Sequence, residues 1–186
     1  MAPDMFLFKK RDDARRKTIE RLYGAIVAQA RAPVFYLDFG VPDTVEGRFD
    51  LLVLHMHLAN TRLVEAGEAG VAVGQEVLDH FFEDMDGSLR ELGIGDLTVP
   101  KKMRTIAEAY LGRSATYGAA IEKGDAAALA QAISRNILGS SEVEANARSL
   151  ADYMLRVSSA LRAQPSDKLL ADEIVFPEPM KAAHAE

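Results

Sequence analysis

The sequence predicts an all-α fold, a compact single-domain bundle of six to seven helices around a buried central helix at about residues 44–66. Apolar residues recur at helical spacing in the long segments, and no stretch shows the period-two alternation typical of a strand. Residues 49–58 are almost continuously apolar apart from Asp50, His55 and His57, which is typical of a helix buried on all sides. The run is too short and too interrupted to span a bilayer.

Composition limits the class of protein and of chemistry. The 186 residues are 48% apolar and 27% charged, as in an ordinary globular domain. The absence of cysteine excludes disulfides, thiolate metal sites and cysteine nucleophiles, and it favours a reducing compartment. We predict a flexible N-terminal arm at 1–11, a helical domain at 12–164 and an irregular C-terminal tail at 165–186, ordered in part at 174–176.

The first helix is predicted at 12–31, where apolar residues form one face and Pro33 prevents continuation. An aromatic-rich connector at 34–40 follows, either extended or as a single helical turn, and its rings either fill the core or line an exposed groove. Asp43 is the predicted N-cap of the central helix, with Glu46 completing a capping box.

The next two helices differ strongly in charge. Gly67, Gly70 and Gly74 follow the central helix and predict a loop, with the next helix starting only after it. One face of that helix is apolar and the opposite face is acidic. The following helix opens at Pro100, with Lys101, Lys102 and Arg104 near its N-terminus. The helix dipole disfavours cations there. They therefore either neutralise the preceding acidic helix or contact an anionic partner.

The last two helices carry clear boundary signals. Asp125 is the predicted N-cap of an alanine-rich helix at 126–138. Ser141 and Glu144 predict a capping box for a long helix at about 142–164, which Pro165 ends.

Charge is divided unevenly along the chain, whose net charge is −6. Residues 1–31 contain eight basic and four acidic residues, so the acidic excess lies in the remainder. A basic end can bind a ribosome or RNA, an anionic membrane or an acidic partner, or it can simply be a solvated helix face. The candidates for membrane or ribosome contact are Phe6, Phe8, Lys9, Lys10, Arg11, Arg15 and Arg16.

The histidines and carboxylates give little support for catalysis or cofactor binding. His55 and His57 point about 200° apart on a helix and cannot share a metal. His80 and Glu83 have the spacing of half a di-iron site, but no second half is present. We therefore expect no metal, no cofactor and no enzyme activity. His55 is predicted to be buried and hydrogen-bonded, with Asp38 or Asp43 as its partner.

Three stretches together resemble the ubiquinol–cytochrome c chaperone family. They are VPDTVEGRFDLLVLHMHLANTRL, FFEDMDGSLRELGIGDLTVPKKMRTIAEAYLGRSATY and IEKGDAAALAQAISRNIL, within residues 19–138. The specific elements are GRFD before a histidine-bearing apolar helix, FxDMDxxLRELGIGD, KKM and a terminal RN. Any one of them alone would be weak evidence, whereas their order is specific.

The resemblance implies a non-enzymatic assembly chaperone that binds a hydrophobic client, cytochrome b, during biogenesis of respiratory complex III. It also implies a small partner subunit, the ribosome and an anionic membrane as partners, and no DNA. Because the sequence shows no secretory or mitochondrial leader pattern, we expect a bacterial, cytoplasmic member that is peripheral on the inner membrane. Two alternatives stay open: a cofactor protein or enzyme using His55 or His80, and an RNA-binding adaptor.

The resemblance also assigns site residues, each of which could be core or surface. The client- or partner-binding candidates are Arg48, Phe49, Phe82, Asp84, Met85, Asp86, Arg90, Lys101, Lys102, Met103 and Tyr117. The expected structural residues are Asp43, His55 and Asn136.

Overall fold

The computed structural model describes the backbone of residues 4–171 and 173–180, with side chains from residue 13 onward. These residues form eight helices and no strand, which confirms the all-α prediction. Six helices are long and two, α2 and α8, are short. In chain order they are α1 (Asp4–Ala30), α2 (Val34–Leu37), α3 (Val45–Glu65), α4 (Glu68–Glu91), α5 (Val99–Glu122), α6 (Ala126–Asn136), α7 (Ala145–Arg162) and α8 (Ser166–Leu170).

Helix α3 is the centre of the bundle, as the sequence predicts. It contacts α1, α4, α5, α7 and α8, while α6 packs on α5 and α7. Its residues Leu51, Val53, Leu54 and Met56 have no exposed surface. Because five helices pack around α3, apolar side chains are buried on nearly all of its faces, which explains the nearly continuous apolar run. None of the helices in the described part of the chain is long and apolar enough to cross a bilayer.

The N-terminus of α3 is capped differently from the prediction. Thr44, not Asp43, is the N-cap, and its hydroxyl accepts a hydrogen bond from the Gly47 N–H at 3.1 Å. The Asp43 carboxylate instead pairs with Arg48 at 2.7 Å. The backbone turns tightly here, since a Cβ on Gly47 would lie 2.0 Å from the carbonyl oxygen of Pro42. Thr44 has the extended dihedrals typical of an N-cap and lies directly before the first helical residue.

The glycine-rich start of α4 is helical, so the predicted loop and late restart are wrong. Gly67 takes a positive φ of 89° as the N-cap, and α4 begins immediately afterwards. Inside α4, a Cβ on Gly70 would lie 2.0 Å from the Leu63 carbonyl oxygen, and one on Gly74 would lie 2.4 Å from Asn60 Oδ1. These glycines therefore allow α4 to pack closely on α3.

Two other helix starts differ from prediction. Helix α1 begins at Asp4, so residues 4–11, for which the sequence predicts a flexible arm, continue the helix; no proline interrupts it. Helix α7 begins after Glu144 without a side-chain cap. The capping box of Ser141 does not form, since residues 140–142 lie outside the helix, where the Ser134 hydroxyl of α6 is within hydrogen-bond distance of the Ser140 and Glu142 carbonyl oxygens.

The C-terminal segment is an ordered strap. Val175, beyond α8, is held by the side chain of Gln164: its N–H donates to the Gln164 amide oxygen at 3.0 Å, and its carbonyl accepts from the Gln164 amide N–H at 2.7 Å. Ile174 is buried, and the Phe176 ring contacts the core. The predicted order at 174–176 is thus present, and the short helix α8 was not predicted.

Candidate functional site

A groove of about 380 Å³ lies between α1, α3, α4 and α5. Most of its wall is apolar, and each of the four helices contributes to it. The lining residues are Val27, Ala30, Arg31, Val45, Glu46, Arg48, Phe49, Leu52, Met85, Ser88, Leu89, Leu92, Lys102 and Ile106.

The floor and the rim of this groove differ in burial. Phe49, Met85 and Ile106 are half-buried and pack against the main core, so they stabilise the fold as well as lining the groove. Val45 and Leu92 are 70% and 69% exposed although they are large and apolar. The groove therefore presents apolar surface that the chain itself leaves uncovered.

The groove rim is predominantly cationic. Arg31, Arg48 and Lys102 line it, against the single carboxylate of Glu46. Arg48 is already engaged, since its guanidinium pairs with Asp43 at 2.7 Å and lies 5.9 Å from the centre of an aromatic ring, Tyr36. An apolar ligand with a negative end is complementary to this surface.

Four of the predicted client-binding residues meet in this groove: Arg48, Phe49, Met85 and Lys102. They come from three helices, and the structure brings them together. Their proximity agrees with a shared surface.

Tyr117 is not available for binding, and its assignment as a client-contact candidate is wrong. It is fully buried, its hydroxyl lies 3.5 Å from Asn136 Nδ2, and burial raises its pKa to about 12. The contact joins α5 to α6, so Tyr117 and Asn136 connect two helices.

The other candidates lie outside the groove lining. The half-buried Phe82 ring packs against Phe81 and Tyr110, with ring centroids 5.0 and 6.1 Å away. Met103 is half-buried and Lys101 is exposed.

The charged candidates on α4 have partners inside the protein. The Tyr23 hydroxyl donates to Asp84 at 2.6 Å, which ties α1 to α4. The Arg90 guanidinium pairs with Asp86 at 2.5 Å and also with Asp96. Asp84 and Arg90 therefore fix neighbouring elements.

His55 is the polar centre of the core. It has no exposed surface; its Nδ1 lies 2.7 Å from the Leu51 carbonyl and its Nε2 lies 2.8 Å from the Tyr153 hydroxyl. A carbonyl only accepts, so Nδ1 carries the proton and Nε2 accepts from Tyr153. Burial lowers the pKa of His55 to about 4, so the ring is neutral at pH 7. The predicted partners Asp38 and Asp43 are wrong because both lie at the surface.

The sequence reasoning missed a buried ion pair beside the groove. Asp50 is 5% exposed and lies 2.7 Å from Arg113 of α5, whose guanidinium is 5.5 Å from the centre of the Phe49 ring. Burial raises the pKa of Asp50 to about 6, although Arg113 opposes the shift. The signal available in the sequence was a lone carboxylate in an otherwise apolar run.

A second cavity of about 360 Å³ lies between α3, α5 and α7. His57 borders it and is 8% exposed, and burial lowers its pKa to about 4. Its ring packs against Gly118 of α5, where a Cβ would lie 3.3 Å from His57 Cε1. The two histidines of α3 thus face different helices, as their spacing predicts.

Two cations of the basic N-terminal helix are paired with carboxylates, one on α4 and one on α1 itself. Arg15 makes two hydrogen bonds to Glu76 of α4, at 2.9 and 3.0 Å, and Arg16 lies 3.5 Å from Glu20. The side chains of Phe6, Phe8, Lys9, Lys10 and Arg11 lie outside the described residues. His80 packs edge-on against the Tyr23 ring at 4.9 Å. Among the side chains described, no three metal-binding groups come together.

Comparison with known proteins places this fold in a family. The family described as Ubiquinol-cytochrome C chaperone matches residues 37–176. A Xenopus laevis protein, "Ubiquinol-cytochrome-c reductase complex assembly factor 1", is 26% identical over 118 residues, which are 63% of this chain. The match covers 58% of that relative, so this chain spans less than two thirds of its length.

A solved structure agrees over nearly the whole chain. It is the "Cbp3 homolog from Brucella abortus", with a TM-score of 0.84 and 42% sequence identity, covering 94% of this chain and 97% of that one. The matches confirm the resemblance seen in the motifs. The chain belongs to the ubiquinol–cytochrome c chaperone family.

Proposed function

We propose that this protein is a non-enzymatic assembly chaperone that holds an apolar segment of cytochrome b in the groove between α1, α3, α4 and α5 during assembly of complex III. The observation that carries the proposal is the uncovered apolar surface of Val45 and Leu92 at the mouth of an apolar groove. Membership of the family supplies the assembly pathway.

The size of the groove defines what it can hold. About 380 Å³ accommodates a few large apolar side chains and not a complete helix. A membrane segment of the client would therefore insert two or three anchor side chains on one face, as helices do in other hydrophobic grooves. The Phe49 ring and the flexible Met85 thioether can adjust to different anchors. Each square ångström of apolar area removed from water contributes about 25 cal/mol.

For His55, the cofactor alternative is weakened by the hydrogen bonds that its ring already makes. Both ring nitrogens of His55 are engaged, with Leu51 and Tyr153, so ligation would break a buried hydrogen bond. We propose that the basic residues near the N-terminus hold the protein at the inner membrane or the ribosome, and that a small partner subunit binds elsewhere. Salt-sensitive binding to ribosomes or to anionic vesicles would support that part of the proposal.

Replacing the exposed apolar side chains tests the groove directly. The double variant Val45→Gln, Leu92→Gln should reduce assembled complex III and cytochrome b in a strain that lacks the native protein. Leu111→Gln is a matched control, because Leu111 is 65% exposed on α5 but does not line the groove. Normal complex III with a stable double variant would refute the groove as the client site.

A further inference from the structure

We propose that the apolar segment held in the groove has an acidic flank, which Lys102 and Arg31 recognise. This inference rests on the proposed function and specifies the chemistry of its client. It starts from the rim, where three cations face one carboxylate in a chain whose net charge is −6. A local charge opposite to that of the whole protein indicates a selective surface.

The position of Lys102 on its helix is unfavourable without an external anion. It lies in the first turns of α5, which begins at Val99, and the positive end of the helix dipole disfavours cations there. No direct ion pair with the acidic helix α4 accounts for it. Within the described part of the chain, no carboxylate lies within ion-pair distance of Lys102, and Asp86 of α4 pairs with Arg90 instead.

Arg31 is the second groove cation, and it lies at the C-terminal end of α1, where the helix dipole favours a cation. It follows the last residue of α1 and is exposed, and no carboxylate of the described side chains lies within 4.0 Å of it. Arg48 differs, since Asp43 already compensates it. Lys102 and Arg31 are therefore the two groove cations available to a partner.

The concave shape of the surface favours a protein segment over a membrane. A peripheral helix binds a membrane with cations and apolar side chains along one outward face. Here the cations come from different helices and surround a small apolar depression. A carboxylate that flanks the anchor residues of a client helix could reach this rim while those anchors fill the depression.

Two synthetic apolar helical peptides test the inference, identical except for a Glu-Glu or a Lys-Lys flank. Affinities would be measured against the full chain. We expect the Glu-flanked peptide to bind about tenfold more tightly. Its flank is attracted to Lys102 and Arg31, whereas the Lys-Lys flank is repelled by both. The difference in affinity should shrink as the salt concentration rises. Lys102→Glu should remove most of the preference.

Arg104→Glu is the matched control. Arg104 is exposed near the same helix end and makes no groove contact, so its reversal changes the net charge by the same amount. Retention of the preference in this variant supports recognition at the rim. Its equal loss would reduce the effect to overall charge and overturn the inference.

The outcomes separate this inference from the proposed function. Equal, groove-dependent binding of both peptides would overturn the acidic flank and leave the groove function intact. Failure of both peptides to bind would overturn both. If the two peptides bind with equal affinity and the protein binds phosphatidylglycerol vesicles in a Lys102-dependent way, the inference is overturned in favour of a lipid ligand.

Discussion

Tyr153→Phe tests whether a directional hydrogen-bond chain holds α1, α3 and α7 together. The Gln29 amide donates to the Tyr153 oxygen at 3.0 Å, and the Tyr153 hydroxyl donates to His55 Nε2 at 2.8 Å. The substitution keeps the ring, which packs against Phe35 at 5.1 Å between centroids. It removes only the hydroxyl.

The magnitude follows from what the hydroxyl leaves behind. His55 Nε2 becomes a buried acceptor without a partner, which costs about 1–3 kcal/mol. Gln29 keeps its hydrogen bond to the Pro177 carbonyl at 3.2 Å, so its loss is partial. We expect the free energy of unfolding to fall by about 2 kcal/mol, or a Tm lower by about 4–8 °C for a chain of this size.

Urea unfolding followed by circular dichroism would measure this change as a shift in midpoint at constant slope. Tyr36→Phe is the control, because the Tyr36 hydroxyl is half-exposed and 3.4 Å from its acceptor, Ala30. Equal urea midpoints for Tyr153→Phe and Tyr36→Phe would refute a stabilising role of the Gln29–Tyr153–His55 hydrogen bonds. The double variant His55→Leu, Tyr153→Phe removes both polar partners and should be less destabilised than the sum of the single changes.

Two further predictions concern helix packing and pH. Gly70→Ala should destabilise the protein by about 1–3 kcal/mol because the new Cβ meets the backbone of α3. Gly87→Ala is the control: its new Cβ has no neighbour within 4 Å, so it should stabilise the protein by about 0.5–1 kcal/mol. Equal effects of the two substitutions in thermal melts would contradict the close packing of α4 on α3. His57 has a folded pKa of about 4 against 6.5 in the unfolded chain, so its contribution to stability is complete above pH 6.5 and falls as the pH is lowered to about 4. His57→Gln should make the acid-side decline in stability shallower in denaturant titrations, while His55, whose pKa is also about 4, retains its own share. An unchanged slope would show that the His57 ring is not buried as described. Asp50, with its raised pKa, acts in the opposite direction in both proteins and cancels from the comparison.

Local signals predicted which long segments are helical, although several helix starts differ. The Asp125 side chain caps α6 by accepting from the Ala128 N–H at 2.9 Å, as its position before an alanine-rich run indicates. The apolar run of α3 predicted its burial. Such features depend on neighbours a few residues away, which the sequence displays directly.

Features that depend on distant contacts could not be predicted in this way. Gly70 and Gly74 have the composition of a loop, and only the approach of α3 explains them inside a helix. The sequence left Asp84 open between a contact inside the protein and a partner contact, and its neighbour in the structure is Tyr23, 61 positions away. The groove likewise depends on four helices meeting, although Phe49 and Met85 were among the candidates.

The most direct test of the client groove is site-specific photo-crosslinking during synthesis of cytochrome b. A photoreactive residue at Leu92, at the mouth of the groove, should form a covalent product with newly made cytochrome b, and one at Leu111 should not. The Leu92 product should disappear when Val45 is replaced by glutamine. Crosslinks of equal yield from both positions, or from Leu111 alone, would contradict the assignment of the groove as the client site.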